Sequence, residues 1–288
     1  MKDINIFCFG FGQVAKNFIK KLSIEQYNIN LSTTSRSESS KKIFNGINYN
    51  SYLFNSEKFD QNLVVKLKEA DHILVSIPPE NQEDLVVKNF SKFIENSKVK
   101  WITYLSATSI YGDHNGEWVN ENSKTNPISN NGIARLKAEN AWVSLEKNNK
   151  IPIQIFRLSG IYSNEKNILI RLKSGQVKMI NKKNHYFSRI HVDDISNILF
   201  KSLSKFKSGE IYNLSDDKPS TSEEVTLFGA KLLNIEKIEV DQLKSEMFKN
   251  FYNESKKVSN KKMKNYFNYN LKFPSYIEGL NHIRSNFI

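Results

Sequence analysis

Along its first half the chain alternates short apolar runs with segments of helical period. Ile4–Phe9 (INIFCF) is almost wholly apolar and ends at glycine, the pattern of a strand buried on both faces. Behind it Val14, Phe18 and Leu22 recur every fourth residue, with Ala15 and Ile19 beside them, and form one helical stripe. Further strands are predicted in INLSTTS (29–35), HILVSIPP (72–79), VKWITYLSATS (99–109) and IPIQIFRLSG (151–160). The third is stopped by Pro78 and Pro79, which cannot continue a ladder. EDLVVKNFSKFI (83–94) and IARLKAENAWVSL (133–145) read as helices between strands. This rhythm predicts an α/β fold, a doubly wound parallel sheet of Rossmann type.

After Arg157 the rhythm changes. HVDDISNILFKSL (191–203) reads as a helix N-capped by Asp193, with Ile195, Ile198, Leu199 and Leu203 facing inward. EIYNLS (210–215) reads as one more strand, and from Ser220 on the pattern is mostly helical. The expected organisation is a dinucleotide-binding domain over 1–160, completed by about 190–218. A smaller, mostly helical lobe for substrate is then made of 161–189 and 219–288.

Composition adds bounds. A hydrophobic content of 39% and a charged fraction of 25% over 288 residues are those of a globular protein. No apolar run approaches the roughly 20 residues that span a bilayer, and the apolar start breaks at glycines too soon for a signal peptide. Cys8 is the single cysteine and cannot form an internal disulfide. A soluble, reducing, cytoplasmic setting is expected. The net charge of +12 raises the question of nucleic acid, most of all at ESKKVSNKKMKNYFNYNLKF (254–273), where aromatics interleave with lysines. No recognised nucleic-acid motif accompanies the charge, so it is expected on solvated faces. Neither a nucleic-acid nor a membrane partner is expected, and the oligomeric state is not legible.

The first candidate chemistry follows the first strand. FGFGQVA places Gly10 for a tight turn and Gly12 where backbone can approach a pyrophosphate, ahead of an amphipathic helix whose N-terminal amides meet the charge. Gly10, Phe11, Gly12, Gln13 and Val14 are therefore candidate cofactor ligands. At the end of the second strand an NAD site usually offers a carboxylate to the ribose; TTSRSESS (33–40) has none before Glu38. Ser35 and Arg36 suit a 2′-phosphate instead, which points to NADP in preference to NAD. Ile77 and Pro78, after the third strand, and Ser106, near the end of the fourth, complete the candidate set.

YLSATSIYGDHNGEWVNE (104–121), GIARLKAE (132–139), RLSGIY (157–162) and FSRIHVDDI (187–195) together resemble the extended short-chain dehydrogenase/reductases. Within these the chain looks most like an atypical, nucleoside-diphosphate-sugar epimerase-like branch, and the likeness continues through YNLSDDKPS to the basic C-terminal pattern (257–280). The resemblance implies an NAD(P)-dependent oxidoreductase or epimerase acting on a small polar molecule or a nucleotide sugar. It implies a Ser or Thr at the end of the fourth strand and a Tyr-x-x-x-Lys on the next helix, the tyrosine moving a proton and the lysine gripping the nicotinamide ribose. Here Lys137 matches the lysine, but Ala107 stands at the hydroxyl position and Ile133 at the tyrosine. Isoleucine one turn before the lysine removes half of the acid/base device.

Tyr111 and Tyr162 are the candidates for a relocated proton donor, with ordinary aromatic packing as their alternative. His191 beside Asp193 and Asp194 could suggest acid/base work, which helix capping explains more simply. The five histidines lack metal-ligand spacing, one cysteine builds no zinc site, and no Gly-x-Ser-x-Gly elbow occurs, so no metal is expected. Two functional readings remain open beside the remote nucleic-acid one. The first is an NADP-dependent enzyme; the second is a noncatalytic NADP-binding sensor or regulator with a degraded triad.

Overall fold

A computed structural model of the chain describes residues 2–175, 177, 184–236, 238 and 254–285. The first half runs β1 (Asp3–Phe9), α1 (Gln13–Ile24), β2 (Asn28–Ser35), β3 (Ser40–Phe44), β4 (Ile47–Leu53), α2 (Asn62–Glu69), β5 (His72–Val75) and α3 (Leu85–Glu95). Next come β6 (Trp101–Ala107), a 3-10 turn (Thr108–Tyr111), β7 (Trp118–Val119), α4 (Asn130–Asn149), β8 (Ile153–Leu158) and β9 (Gly160–Tyr162). The remainder holds α5 (Ile168–Lys173), β10 (Tyr186–Phe187), β11 (Arg189–His191), α6 (Val192–Ser204), β12 (Ile211–Leu214), β13 (Ser220–Thr221) and α7 (Ser222–Leu232). After it come β14 (Lys257–Val258), α8 (Lys261–Phe267) and α9 (Tyr276–Ser285).

One eight-stranded sheet carries the order β12-β8-β6-β5-β1-β2-β4-β3. The pairs β1–β2, β1–β5, β2–β4 and β5–β6 are parallel. This is the doubly wound α/β fold. The chain leaves β1 toward β2 on one side and returns to β5 on the other, so the strand order reverses beside the C-terminal end of β1, where such sheets open a crevice for ligands. The helices follow from their apolar stripes. Val14, Ala15, Phe18, Ile19 and Leu22 of α1 are all buried, and α3 buries Val86, Phe90 and Ile94 behind an Asp84 cap.

The antiparallel hairpin β3–β4 is an addition that the apolar pattern did not predict. Ser40–Phe44 is largely exposed and carries no two-sided apolar run. Its turn is Asn45-Gly46, both left-handed at φ 51° and 76°, the pairing that a two-residue hairpin favours.

The chain gathers into two compact units. The first is 1–107, 133–157 and 195–211; the second is 108–132, 158–194 and 212–288. The residues after β6 join the second unit through the parallel pair β7–β14 and through Lys256, buried, whose Nζ donates to the Gly112 carbonyl at 2.8 Å. The second unit has its own core, in which Tyr162, Leu169, Val225, Tyr276, Leu280 and Ile283 pack together. A capping box at Thr221 and Glu224 starts α7.

One expectation in that unit is corrected. The helix after HVD begins at Val192, so Asp193 lies in its first turn and not at the N-cap. The capping acceptor is the His191 ring, whose Nδ1 takes the Asp193 backbone N–H at 3.2 Å. Acidic residues in a first turn are favoured by the helix dipole, which is why the pattern looked like a cap two residues late. Asp194 accepts the Tyr269 hydroxyl at 2.6 Å and the backbone N–H groups of Lys272 and Phe273 at 2.7 and 3.1 Å. These aspartates are occupied in holding the C-terminal segment.

Candidate cofactor-binding site

At the end of β1 the backbone turns sharply. Gly10 has φ +82°, and a Cβ there would stand 2.7 Å from Ile77 Cγ2 and 3.0 Å from Ser76 Oγ. Both the left-handed backbone and the close approach require glycine. The turn is latched from two sides. The Gly10 N–H donates to Thr34 Oγ1 at 2.8 Å, and Ser76 Oγ lies 2.9 and 3.1 Å from the carbonyls of Phe9 and Gly10. The ends of β1, β2 and β5 are thereby fixed to one another.

Gly12 has a different reason. It is the N-cap of α1 in extended conformation, with no side-chain cap and no acid in the first turn. A Cβ on Gly12 would meet nothing within 4 Å, so space beside this helix start is open. Positive dipole and open approach coincide there, as a pyrophosphate needs. Phe11 packs its ring on Phe44 and Tyr49 of the added hairpin, at 5.2 and 5.1 Å between centroids. Ala15 is fully buried, which lets α1 lie close on the sheet.

At the end of β2, Thr33 and Thr34 are buried, Ser35 is half-buried and Arg36 is exposed. The backbone here is held by the Ser35 carbonyl accepting from Phe54 N–H at 2.8 Å and the Arg36 carbonyl accepting from Asn55 Nδ2 at 3.2 Å. Among the described residues no carboxylate pairs with the Arg36 guanidinium. Ile77 is half-buried, and Pro78 is exposed. Ser106 is buried, and its hydroxyl has no hydrogen-bond partner among the described residues. The strand ends at Ala107, so Thr108 belongs to the 3-10 turn and is not the next outward position of β6.

The helix α4 carries Ile133, half-buried, and Lys137, exposed. It is anchored by polar contacts that the sequence pattern did not reveal. Arg135 Nη1 donates to the Leu105 carbonyl at 2.8 Å and to Tyr104 OH at 3.2 Å. Glu139 accepts from Arg157 Nη2 at 2.8 Å and from its Nε at 3.1 and 3.2 Å, with both side chains buried. Trp142 Nε1 donates to Asp84 Oδ2 at 3.1 Å, and Asp84 Oδ1 caps α3 by accepting from Val86 and Val87. Burial pushes the Asp84 carboxyl above its usual range, against these hydrogen bonds. Lys137 Nζ donates to Gln82 Oε1 in the loop after β5.

The two tyrosines lie in the second unit. Tyr111 is fully buried at the end of the 3-10 turn, and its hydroxyl donates to Asn213 Oδ1 at 2.7 Å. Tyr162 is buried with its hydroxyl 3.3 Å from the Ser275 carbonyl, over Gly279, where any Cβ would overlap the ring. Burial, with Asp216 and Asp194 nearby, drives its pKa upward. Both geometries are those of packed structural tyrosines. That unit also contains a pocket of about 660 Å³, lined by Trp118, Asn120, Asp217, Asn260 and Lys264 among others. None of the candidate cofactor residues lines it.

Comparison with known proteins shows what this chain is similar to. Residues 85–215 match the model of the NAD dependent epimerase/dehydratase family. A functionally unknown conserved protein from Silicibacter pomeroyi DSS has the same fold at TM-score 0.83, with 27% identity over 99% of both chains. A dTDP-glucose 4,6-dehydratase from Bacillus anthracis in complex with NAD superposes at TM-score 0.78, with 18% identity over 99% of this chain and 96% of that one. A UDP-glucose 4-epimerase from Thermotoga maritima with UDP-glucose does so at 0.79, with 15% identity over 100% and 98%. No curated protein matches the chain. At the places where the resemblance expects Ser/Thr and Tyr-x-x-x-Lys, the chain carries Ala107, Ile133 and Lys137. Among the described residues no helix is long and apolar enough to cross a membrane, and no cluster of His, Cys, Asp and Glu could hold a metal ion.

Proposed function

We propose that this protein binds NADP(H) at the C-terminal edge of its sheet and is an oxidoreductase or epimerase-like enzyme for a small polar molecule or a nucleotide sugar. Its site lacks the tyrosine acid/base. The observation that carries the reading is the glycine turn, where Gly10 is forced by Ile77 and Gly12 leaves the start of α1 open. The residues present fit the dinucleotide. The α1 amides would meet the pyrophosphate, Ser35 and Arg36 the 2′-phosphate, and Lys137 the hydroxyls of the nicotinamide ribose. When bound, NADP(H) supplies a nicotinamide ring that gives or takes a hydride. The chain itself contributes binding, orientation and the fixed charge of Lys137. With isoleucine at 133 and alanine at 107, the proton that accompanies the hydride is released to, or taken from, solvent. Fluorescence titration with NADPH and NADH tests the cofactor. Arg36→Ala should weaken NADPH about ten- to a hundredfold, the effect of losing a charged hydrogen-bond partner, and leave NADH unchanged. Equal losses for both cofactors would show that Arg36 reads something else.

A second reading is favoured by one observation: the Tyr111 and Tyr162 hydroxyls are buried and engaged in structural contacts. No relocated donor is then available, and the protein would hold NADP(H) as a noncatalytic sensor or regulator. Single-turnover reduction of bound NADP+ by a panel of nucleotide sugars, read at the nicotinamide absorbance and with product analysis for epimers, separates the two, since a sensor binds the cofactor and transfers no hydride.

A further inference from the structure

The loop from β5 to α3 makes a tight two-residue turn. Glu80 and Glu83 exchange both backbone hydrogen bonds at 2.9 Å, and the residues between them, Asn81 and Gln82, stand at φ 50° and 64°. The left-handed region is ordinary for asparagine but uncommon for glutamine. The strained member of the turn is the one whose side chain accepts from Lys137 Nζ. Two residues further, Asp84 is bonded to Trp142 in the core, five residues along α4 from Lys137. The loop and the helix are thus cross-braced at a buried point next to the place where Gln82 and Lys137 meet.

We propose that Gln82 is a positioning residue for Lys137. It fixes the ammonium of a lysine that has no tyrosine on its own helix face to line up with. An ammonium has three donors and no acceptor. With one donor held by Gln82 Oε1, two remain, the number that the vicinal hydroxyls of a ribose accept. A lysine at an exposed helix position otherwise samples many rotamers, and ordering it opposes binding. This inference rests on the NADP(H) reading of the same site.

The test measures the affinity of NADPH and of adenosine 2′,5′-bisphosphate, which carries the 2′-phosphate but ends before the nicotinamide ribose. Variants are Gln82→Ala, Gln82→Glu, Lys137→Ala and the double Gln82→Ala/Lys137→Ala. Gln82→Ala should weaken NADPH about three- to tenfold, and Gln82→Glu, which keeps an acceptor, should restore it. The double variant should bind no worse than Lys137→Ala alone, because one residue acts through the other. The bisphosphate should bind all four alike. A Gln82→Ala protein with unchanged NADPH affinity, or losses that simply multiply in the double variant, overturns the positioning role while leaving the cofactor reading intact. Failure of the wild type to bind either ligand overturns both.

Discussion

The Glu139–Arg157 pair gives the sharpest energetic test of how α4 is held. The guanidinium faces the carboxylate through three contacts of 2.8 to 3.2 Å, and the two side chains are only 6% and 2% exposed. Replacing Arg157 by methionine strands a carboxylate in the interior, and replacing Glu139 by leucine removes the buried counter-charge of a guanidinium. Each single change should cost about 3–5 kcal/mol, the usual penalty for breaking a buried pair from one side. Changing both together removes the charges and substitutes apolar volume, and that costs little or even stabilises. Urea unfolding should be followed by tryptophan emission, because Trp101 and Trp142 are both buried in the same unit as the pair. The expected pattern is two badly destabilised single variants and a double variant near wild type. Single losses below about 1 kcal/mol would mean that the pair behaves as a solvated surface bridge. A double variant as unstable as the two losses combined would mean that the residues act independently. Either result refutes the clamp.

Two further predictions concern pH and chemistry. Burial holds the His191 imidazole down to about 4 from 6.5, with Asp193 opposing; the unfolded chain therefore takes up a proton that the folded chain refuses, and stability should fall as pH drops from about 6.5 to 4, by about 3 kcal/mol at most. His191→Asn keeps the capping acceptor but does not titrate, so its unfolding free energy should vary less steeply over that window, and an unchanged slope would place the titration elsewhere. Since losing a positioned acid/base costs about 10²–10⁴-fold in rate, wild-type turnover should be slow, and Ile133→Tyr with Ala107→Ser should create or raise NADPH-linked activity. Rapid wild-type turnover abolished by Tyr111→Phe or Tyr162→Phe would reverse that conclusion and identify the proton donor.

The parallel strands and the helix α1 were legible because burial on both faces leaves continuous apolar runs, as in Ile4–Phe9, and burial on one leaves a stripe, as at Val14, Phe18 and Leu22. The glycine turn was legible because geometry leaves few residues to choose from at Gly10. What escaped was polar and long-range. Asp84 meets Trp142 across 58 residues of sequence, and Lys137 meets Gln82 across 55. Such pairings have no period. Glu139 is hardest of all to read, since a glutamate four residues from Arg135 looks like a solvent-face ion pair, whereas here it is buried. The β3–β4 hairpin did leave a signal in Asn45-Gly46, but its polar outer strand gave no apolar alternation to go with it.

The anchoring of α4 bears on which reading of the site is the stronger. Within eight residues the helix is tied to β6 by Arg135, to the loop after β5 by Lys137, to β8 by Glu139 and to the α3 cap by Trp142. The two buried ties among these, at Glu139 and Trp142, contribute little net stability compared with apolar packing, because each group must first be desolvated. Stability alone would be served as well by leucines. What such ties do supply is one fixed register of the helix against the strand ends. Ile133 gains nothing from a fixed register, since a packing side chain tolerates small shifts. Lys137 in its proposed role does gain, because a contact to a ribose is lost when its donor moves by about 1 Å. The device that survives on α4 is therefore the one that places a cation, and this favours a protein that grips NADP(H) over one that retains a Tyr–Lys proton relay.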